Sequence, residues 1–317
     1  MGRRVSDEIN MTASRTWSGL GACRERAGLL LRLGHLSIVL LLALAPPAFA
    51  QDIATDWIDG ERHRTRLIAG DVPGATPGTV TAFVEMSMDK GWKTYWRNPG
   101  TAGGIPPEFK WSNSKNITKL EVLFPVPQVL SDKAGDVIGY EEYAIFPLRI
   151  TPADVTAPVQ LELTVNYGIC AKLCVPAEAA FSLAIPPAPL PSAGPDAARA
   201  FAAVPRVGAE RKPVDPSDLK VERPAGKPGI VRMSALFPGD PASAAMFVSV
   251  PDGRYLPLPA RQATGSGNAS FSANAGRVTF EMDFTSSPAD LEALKGATVS
   301  VTMVGEKGQS DDSFVID

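Results

Sequence analysis

Between Thr79 and Ile185 apolar and polar residues alternate with a period of two in short runs, and that alternation restricts the chain to sheet-based folds. Thr79-Val80-Thr81-Ala82-Phe83-Val84-Glu85-Met86-Ser87-Met88 and Gln160-Leu161-Glu162-Leu163-Thr164-Val165-Asn166-Tyr167 read as half-buried strands. Turn clusters such as Asn98-Pro99-Gly100 and Ala102-Gly103-Gly104-Ile105-Pro106-Pro107 lie between the runs and break any helix. Residues 51–185 are therefore expected to form a β-sandwich of immunoglobulin-like size. Residues 186–228 hold 10 prolines, against 29 in all 317 residues, and are expected to be an extended linker with a short helix over Asp196 to Ala202. Alternation returns in Ala245 to Val250, Arg277 to Phe284 and Ala297 to Val304, so residues 229–317 are expected to form a second β-sandwich, with a helical turn or two over Pro288 to Lys295. The expected fold class is all-β, two immunoglobulin-like sandwiches joined by a Pro-rich linker.

Residues 1–50 read as a cleaved secretory signal. Arg24, Arg26 and Arg32 precede the apolar run Leu36 to Ala45, and Ala48-Phe49-Ala50 supplies a small-residue cleavage site. A membrane anchor needs roughly 20 apolar residues, and Pro46 and Pro47 end this run too early. Translation can start at Met1 or Met11. No transmembrane segment is expected in the mature chain.

Cleavage removes Cys23 and His35 and leaves His63, Cys170 and Cys174. One histidine cannot build a multi-histidine metal site. A Ser-His-Asp hydrolase would rest on His63 alone, and G-x-S-x-G, Walker and dinucleotide motifs are missing from the sequence. With 31 basic against 34 acidic residues, the chain lacks the basic excess of a nucleic-acid binder.

Chemistry thus concentrates in Cys170-Ala171-Lys172-Leu173-Cys174. Export places these thiols where disulfides persist, so a structural staple is one reading. A five-residue loop, however, gains only about 2 kcal/mol from closure. Lys172 between the sulfurs favours a thiolate and hence a reactive pair. Soft-metal binding, as in a Cu(I)-handling module, is a third reading, with Met86 and Met88 as conceivable thioether ligands. All three stand on the residues alone.

Three motifs carry a resemblance. Gly91-Trp92-Lys93-Thr94-Tyr95-Trp96-Arg97-Asn98-Pro99-Gly100, Asp136-Val137-Ile138-Gly139-Tyr140 and Asn166-Tyr167-Gly168-Ile169-Cys170-Ala171-Lys172-Leu173-Cys174-Val175-Pro176 resemble the N-terminal periplasmic domain of the DsbD and ScsB thiol:disulfide interchange proteins. The match runs from about Asp56 to Ile185, in the family's order and spacing. The resemblance implies a periplasmic protein with a redox-active cysteine pair and no other cofactor. It would take electrons from a membrane-embedded thiol transporter or its thioredoxin-like domain and pass them to oxidised periplasmic partners, including thioredoxin-fold proteins. It further implies that Cys174 forms the mixed disulfide and Cys170 resolves it, and that Asp136, Val137, Ile138, Gly139 and Tyr140 form a cap loop over the sulfurs, with Val137 in the family's aromatic place. Three residues separate the cysteines, as expected in the ScsB-like branch, where the better-known DsbD pattern has five. A chain ending at Asp317 without a transporter is expected to receive its electrons from another protein.

Elsewhere the expectations are structural. Trp92, Tyr95, Trp96 and Trp111 read as core rather than a ligand face. Met86 and Met88 read as core packing. His63, among Arg62, Arg64 and Arg66, reads as part of a solvated strand face. Glu141 and Glu142 beside the cap are conceivable proton acceptors but more often such carboxylates face water. A non-catalytic binding or scaffold protein with a structural disulfide remains the alternative of a different class.

Overall fold

The computed structural model describes residues 53–132, 135–263 and 276–317. The expected signal segment lies outside them. Numbering strands along the chain, one sheet runs β1 (Ile53–Ala54), β3 (His63–Ala69), β4 (Val80–Met88), β10 (Tyr143–Pro152) and β7 (Ile117–Val122), with β2 (Ile58–Gly60) paired to β3. The second runs β12 (Cys174–Ile185), β11 (Val159–Cys170), β5 (Lys93–Tyr95), β9 (Gly135–Glu141) and β8 (Gln128–Asp132), with β6 (Glu108–Lys110) paired to β11. Alternation decides what lies between them. Val159, Leu161, Leu163, Val165 and Tyr167 of β11 are buried, and they share a core with Val84 and Met86 of β4 and Phe146 and Leu148 of β10.

Strand β4 is buried on both faces. Its outward Phe83 packs with Val72, Ile145 and Ala197 in a satellite core. Ala197 belongs to helix α1 (Pro195–Ala202), whose first turn carries Pro195 and Asp196, residues suited to a helix start. The proline-rich segment is therefore not a free linker. Asp71 N–H donates to Pro191 O at 2.8 Å, and Ala193 N–H donates to Asp71 O at 3.1 Å. Proline lacks a donor of its own, but the residues between the prolines keep theirs. Covering Phe83 is worth roughly 1.5–3 kcal/mol, which favours docking over free extension.

A second pair of sheets follows. β13 (Ser217–Glu222), β14 (Ile230–Phe237), β17 (Gly276–Asp283) and β16 (Ala260–Arg261) form one, and β15 (Ala245–Ser249), β18 (Thr298–Val304) and β19 (Gln309–Val315) form the other. Met233, Phe280, Val248 and Val301 meet in their common core, and Leu291 of α2 (Pro288–Ala293) closes against it. Strand β13 falls within residues expected to be linker. Its Leu219 and Val221 alternate with polar neighbours and pack on this core, which outweighs the prolines on either side. The molecule is all-β in character, with the short helices at its margins.

The segment entering this second sandwich is fixed by charge. Arg206 pairs through its guanidinium with the buried carboxylate of Asp215, which also accepts from Lys212 N–H at 2.7 Å. Burial opposes the Asp215 anion, but these hydrogen bonds and the Arg206 charge outweigh it and hold its pKa below the usual carboxylate range. A depressed pKa adds stability above the unfolded value and loses it as pH falls through the folded one. Asp215→Asn is expected to cost about 2–3 kcal/mol at neutral pH. Urea unfolding of both proteins checks this, and the gap should narrow at about pH 3, below the ordinary Asp value.

Candidate redox site

β11 and β12 form a hairpin whose register runs from Val159 opposite Ile185 to Cys170 opposite Cys174. The turn Ala171-Lys172-Leu173 closes it, and the two cysteines are joined as a disulfide. Period two then assigns the faces. Tyr167 and Ile169 point into the main core, so Gly168 and Cys170 lie on the opposite face of the sheet. On β5 Trp96 follows into the core and Tyr95 stays on the cysteine side; on β9 Ile138 and Tyr140 enter the core and Val137 does not. Tyr95, Val137 and Cys170 consequently form a small apolar cluster of their own, with Leu130 against it.

The two sulfurs have unequal surroundings. Cys170 is 1% exposed, whereas Cys174 is exposed at the start of β12. The Tyr95 hydroxyl lies 3.2 Å from Cys174 Sγ. Leu173, beside it, is 74% exposed, an apolar side chain held out in solvent at the hairpin tip. Lys172 is exposed in the turn, and the buried Lys93 is in register with Cys170.

The five expected cap residues do not form a loop. They belong to β9, paired on one side to β8 and on the other to β5. Leu130 opposite Val137 gives this region the complementary strand that makes it a hairpin. Among the five, Val137 covers the buried sulfur. Ile138 packs in the main core, as does Tyr140, whose hydroxyl donates to Pro125 O at 2.8 Å. Burial raises the Tyr140 pKa well above its usual value, with the Arg97 charge opposing, so it stays a neutral donor. Gly139 is required by contact: a Cβ there would sit 2.1 Å from Thr94 O. Asp136 is exposed.

Other expected residues separate from the sulfurs. Met86 and Met88 are buried in the main core, whereas Cys170 belongs to the small cluster, so the thioethers do not join the thiols. Trp96 is core, and Trp92 and Trp111 pack partly buried against it. His63 is not on a solvated face as expected; its Nε2 lies 2.9 Å from the Tyr167 hydroxyl, which also meets Thr65 Oγ1 at 2.9 Å. Inward-pointing Tyr167 reaches across the sandwich and draws the imidazole in. Glu141 and Glu142 are exposed, and Glu142 accepts from Gly91 N–H at 3.1 Å. Tyr95 escaped the sequence reading as a site residue. Its place in alternation with Trp96 is the signal that separates it from the core aromatics.

Residues 66–186 match the family described as "Thiol:disulfide interchange protein DsbD, N-terminal". The crystal structure of the N-terminal periplasmic domain of ScsB from Proteus mirabilis superposes with a TM-score of 0.58 at 19% identity, covering 84% of this chain and 99% of that one. Both sandwiches are therefore part of the shared fold. A conserved domain protein from Bacillus anthracis aligns more loosely, with a TM-score of 0.23 and 11% identity over 85% of this chain and 91% of that one. No curated protein sequence matches the chain. Among the described residues no helix is long and apolar enough to cross a membrane. The cysteine pair lies inside the matched segment, so the likeness to the DsbD N-terminal family of thiol:disulfide interchange proteins rests on the first sandwich and includes the disulfide.

Proposed function

We propose that Cys170 and Cys174 cycle between disulfide and dithiol and relay reducing equivalents, in the periplasm, from a membrane thiol transporter or its thioredoxin-like domain to oxidised partner proteins. The unequal exposure of the pair carries this reading. Exchange needs a thiolate to reach one sulfur, and only Cys174 is accessible.

In loading, a donor thiolate attacks Cys174 Sγ. The bonding pair of the disulfide passes to Cys170, which leaves as thiolate and takes a proton. The donor's second thiolate then attacks its own sulfur in the mixed disulfide and releases Cys174 as thiolate. The donor ends as a disulfide, and the pair holds two electrons. In unloading, the Cys174 thiolate attacks the partner's disulfide and one partner sulfur leaves as thiolate. Cys170, deprotonated, then attacks Cys174 Sγ, reforms the observed bond and frees the second partner thiol. Tyr95 stands where its hydroxyl can donate to the Cys174 thiolate, a bond stronger than one to a neutral sulfur. Leu173 offers an apolar contact to whatever docks.

A staple adds little at this position. The disulfide joins residues that a twelve-residue antiparallel ladder already holds in register, and closing so short a loop contributes about 2 kcal/mol.

Cys174→Ser should abolish electron transfer to an oxidised thioredoxin-fold partner while leaving the circular dichroism spectrum unchanged; full transfer by this variant defeats the relay. Cys170→Ser should accumulate a mixed disulfide through Cys174, visible on non-reducing gels. The reduction potential of the pair should lie above about −300 mV, the level below which structural disulfides resist glutathione. Tyr95→Phe should raise the Cys174 thiol pKa in the reduced protein by about one unit, read from thiolate absorbance against pH.

A further inference from the structure

We infer that the second sandwich is the positioning element of the redox site, holding residues 96–104 and through them setting Tyr95 against Cys174. The inference rests on the redox role proposed above.

Four residues in the segment after Tyr95, namely Trp96, Arg97, Asn98 and Gly104, are held by the second sandwich. The Trp96 ring packs on Phe247 of β15 with centroids 5.9 Å apart. Arg97 Nη2 donates to Thr302 Oγ1 on β18 at 2.8 Å and to Asp311 Oδ2 on β19 at 3.0 Å. Asn98, 1% exposed, donates to Val248 O at 2.7 Å and accepts from Leu256 N–H at 3.3 Å. Tyr255 donates its hydroxyl to Gly104 O at 2.5 Å.

Two of the held residues, Trp96 and Gly104, lead back to the sulfurs. Trp96 N–H donates to Ile138 O, and Ile138 N–H to Pro99 O, both at 3.0 Å, so the clamped segment grips the strand that carries Val137. Gly104 lies under the Tyr95 ring: a Cβ there would come within 2.4 Å of it, at a φ of +157° that favours glycine. The next residue, Ile105, accepts from Gly168 N–H at 3.0 Å, two positions from Cys170. A hydrogen bond made by Tyr255 therefore sets the floor on which the Tyr95 ring rests. The ring in turn sets the distance from its hydroxyl to Cys174. Holding that donor in place stabilises the thiolate and hence the dithiol, so losing the support should shift the pair towards disulfide.

Tyr255 is 46% exposed, so Tyr255→Phe removes one hydroxyl at little cost to folding. The test is the equilibrium constant of the Cys170/Cys174 couple with glutathione, together with the Cys174 thiol pKa, in wild type, Tyr255→Phe, Tyr95→Phe and the double variant, with melting temperatures alongside. Tyr255→Phe should shift the equilibrium towards disulfide by about threefold, the low end of what one hydrogen bond is worth, and raise the thiol pKa. The double variant should match Tyr95→Phe alone, because the second residue acts through the first. Asn98→Ala, if it folds, should shift the equilibrium in the same direction. An exchanging wild type with an unaltered Tyr255→Phe equilibrium and pKa overturns the positioning role and leaves the relay standing. A wild-type disulfide that never equilibrates with glutathione overturns both.

Discussion

The register of the β11–β12 ladder governs everything the first sandwich can do. Twelve consecutive pairs fix Cys170 opposite Cys174, and a slip of one residue would send Cys170 into the main core and turn Tyr167 out of it. That slip is costly because Val159, Leu161, Leu163 and Val165 are all buried on the core side. The apolar alternation of an ordinary strand thereby sets the geometry of a reactive bond at its end. The same parity places Tyr95 and Val137 beside the sulfurs and Trp96 and Ile138 in the core.

Much of this is readable from residues 159–176 alone. The alternating run marks a strand, the Ala171-Lys172-Leu173 turn marks its reversal, and the short spacing brings the thiols together. The motifs in 91–100 and 136–140 point to the same family that residues 66–186 match. What escapes a linear reading is parity across chain-distant strands. Tyr95 and Trp96 are adjacent aromatics, and only the pairing of β5 with β9 and β11 decides which one meets Cys174. Residues 136–140 carry no turn chemistry strong enough to hold a loop once Gln128–Asp132 offers a partner strand.

Prolines misled in a different way. Their density in 186–228 suggests a segment that stays extended and unpacked, yet the local donors between them find acceptors on Asp71, and Leu219 and Val221 find a core. Composition reports what a segment disfavours on its own, whereas docking depends on the surface waiting for it. Here Phe83 and Ile145 form that surface, an apolar pair on the outer side of a sheet that period two would leave to water.

This cover has a bearing on where the protein can be cut. A fragment trimmed at Ile185, the natural stopping point of β12, would shed α1 and leave Phe83 and Ile145 bare on a flat sheet, the kind of oily stripe through which excised domains stick to one another. A fragment meant to keep this surface covered has to extend past Ala202, so that the helix stays on as its lid.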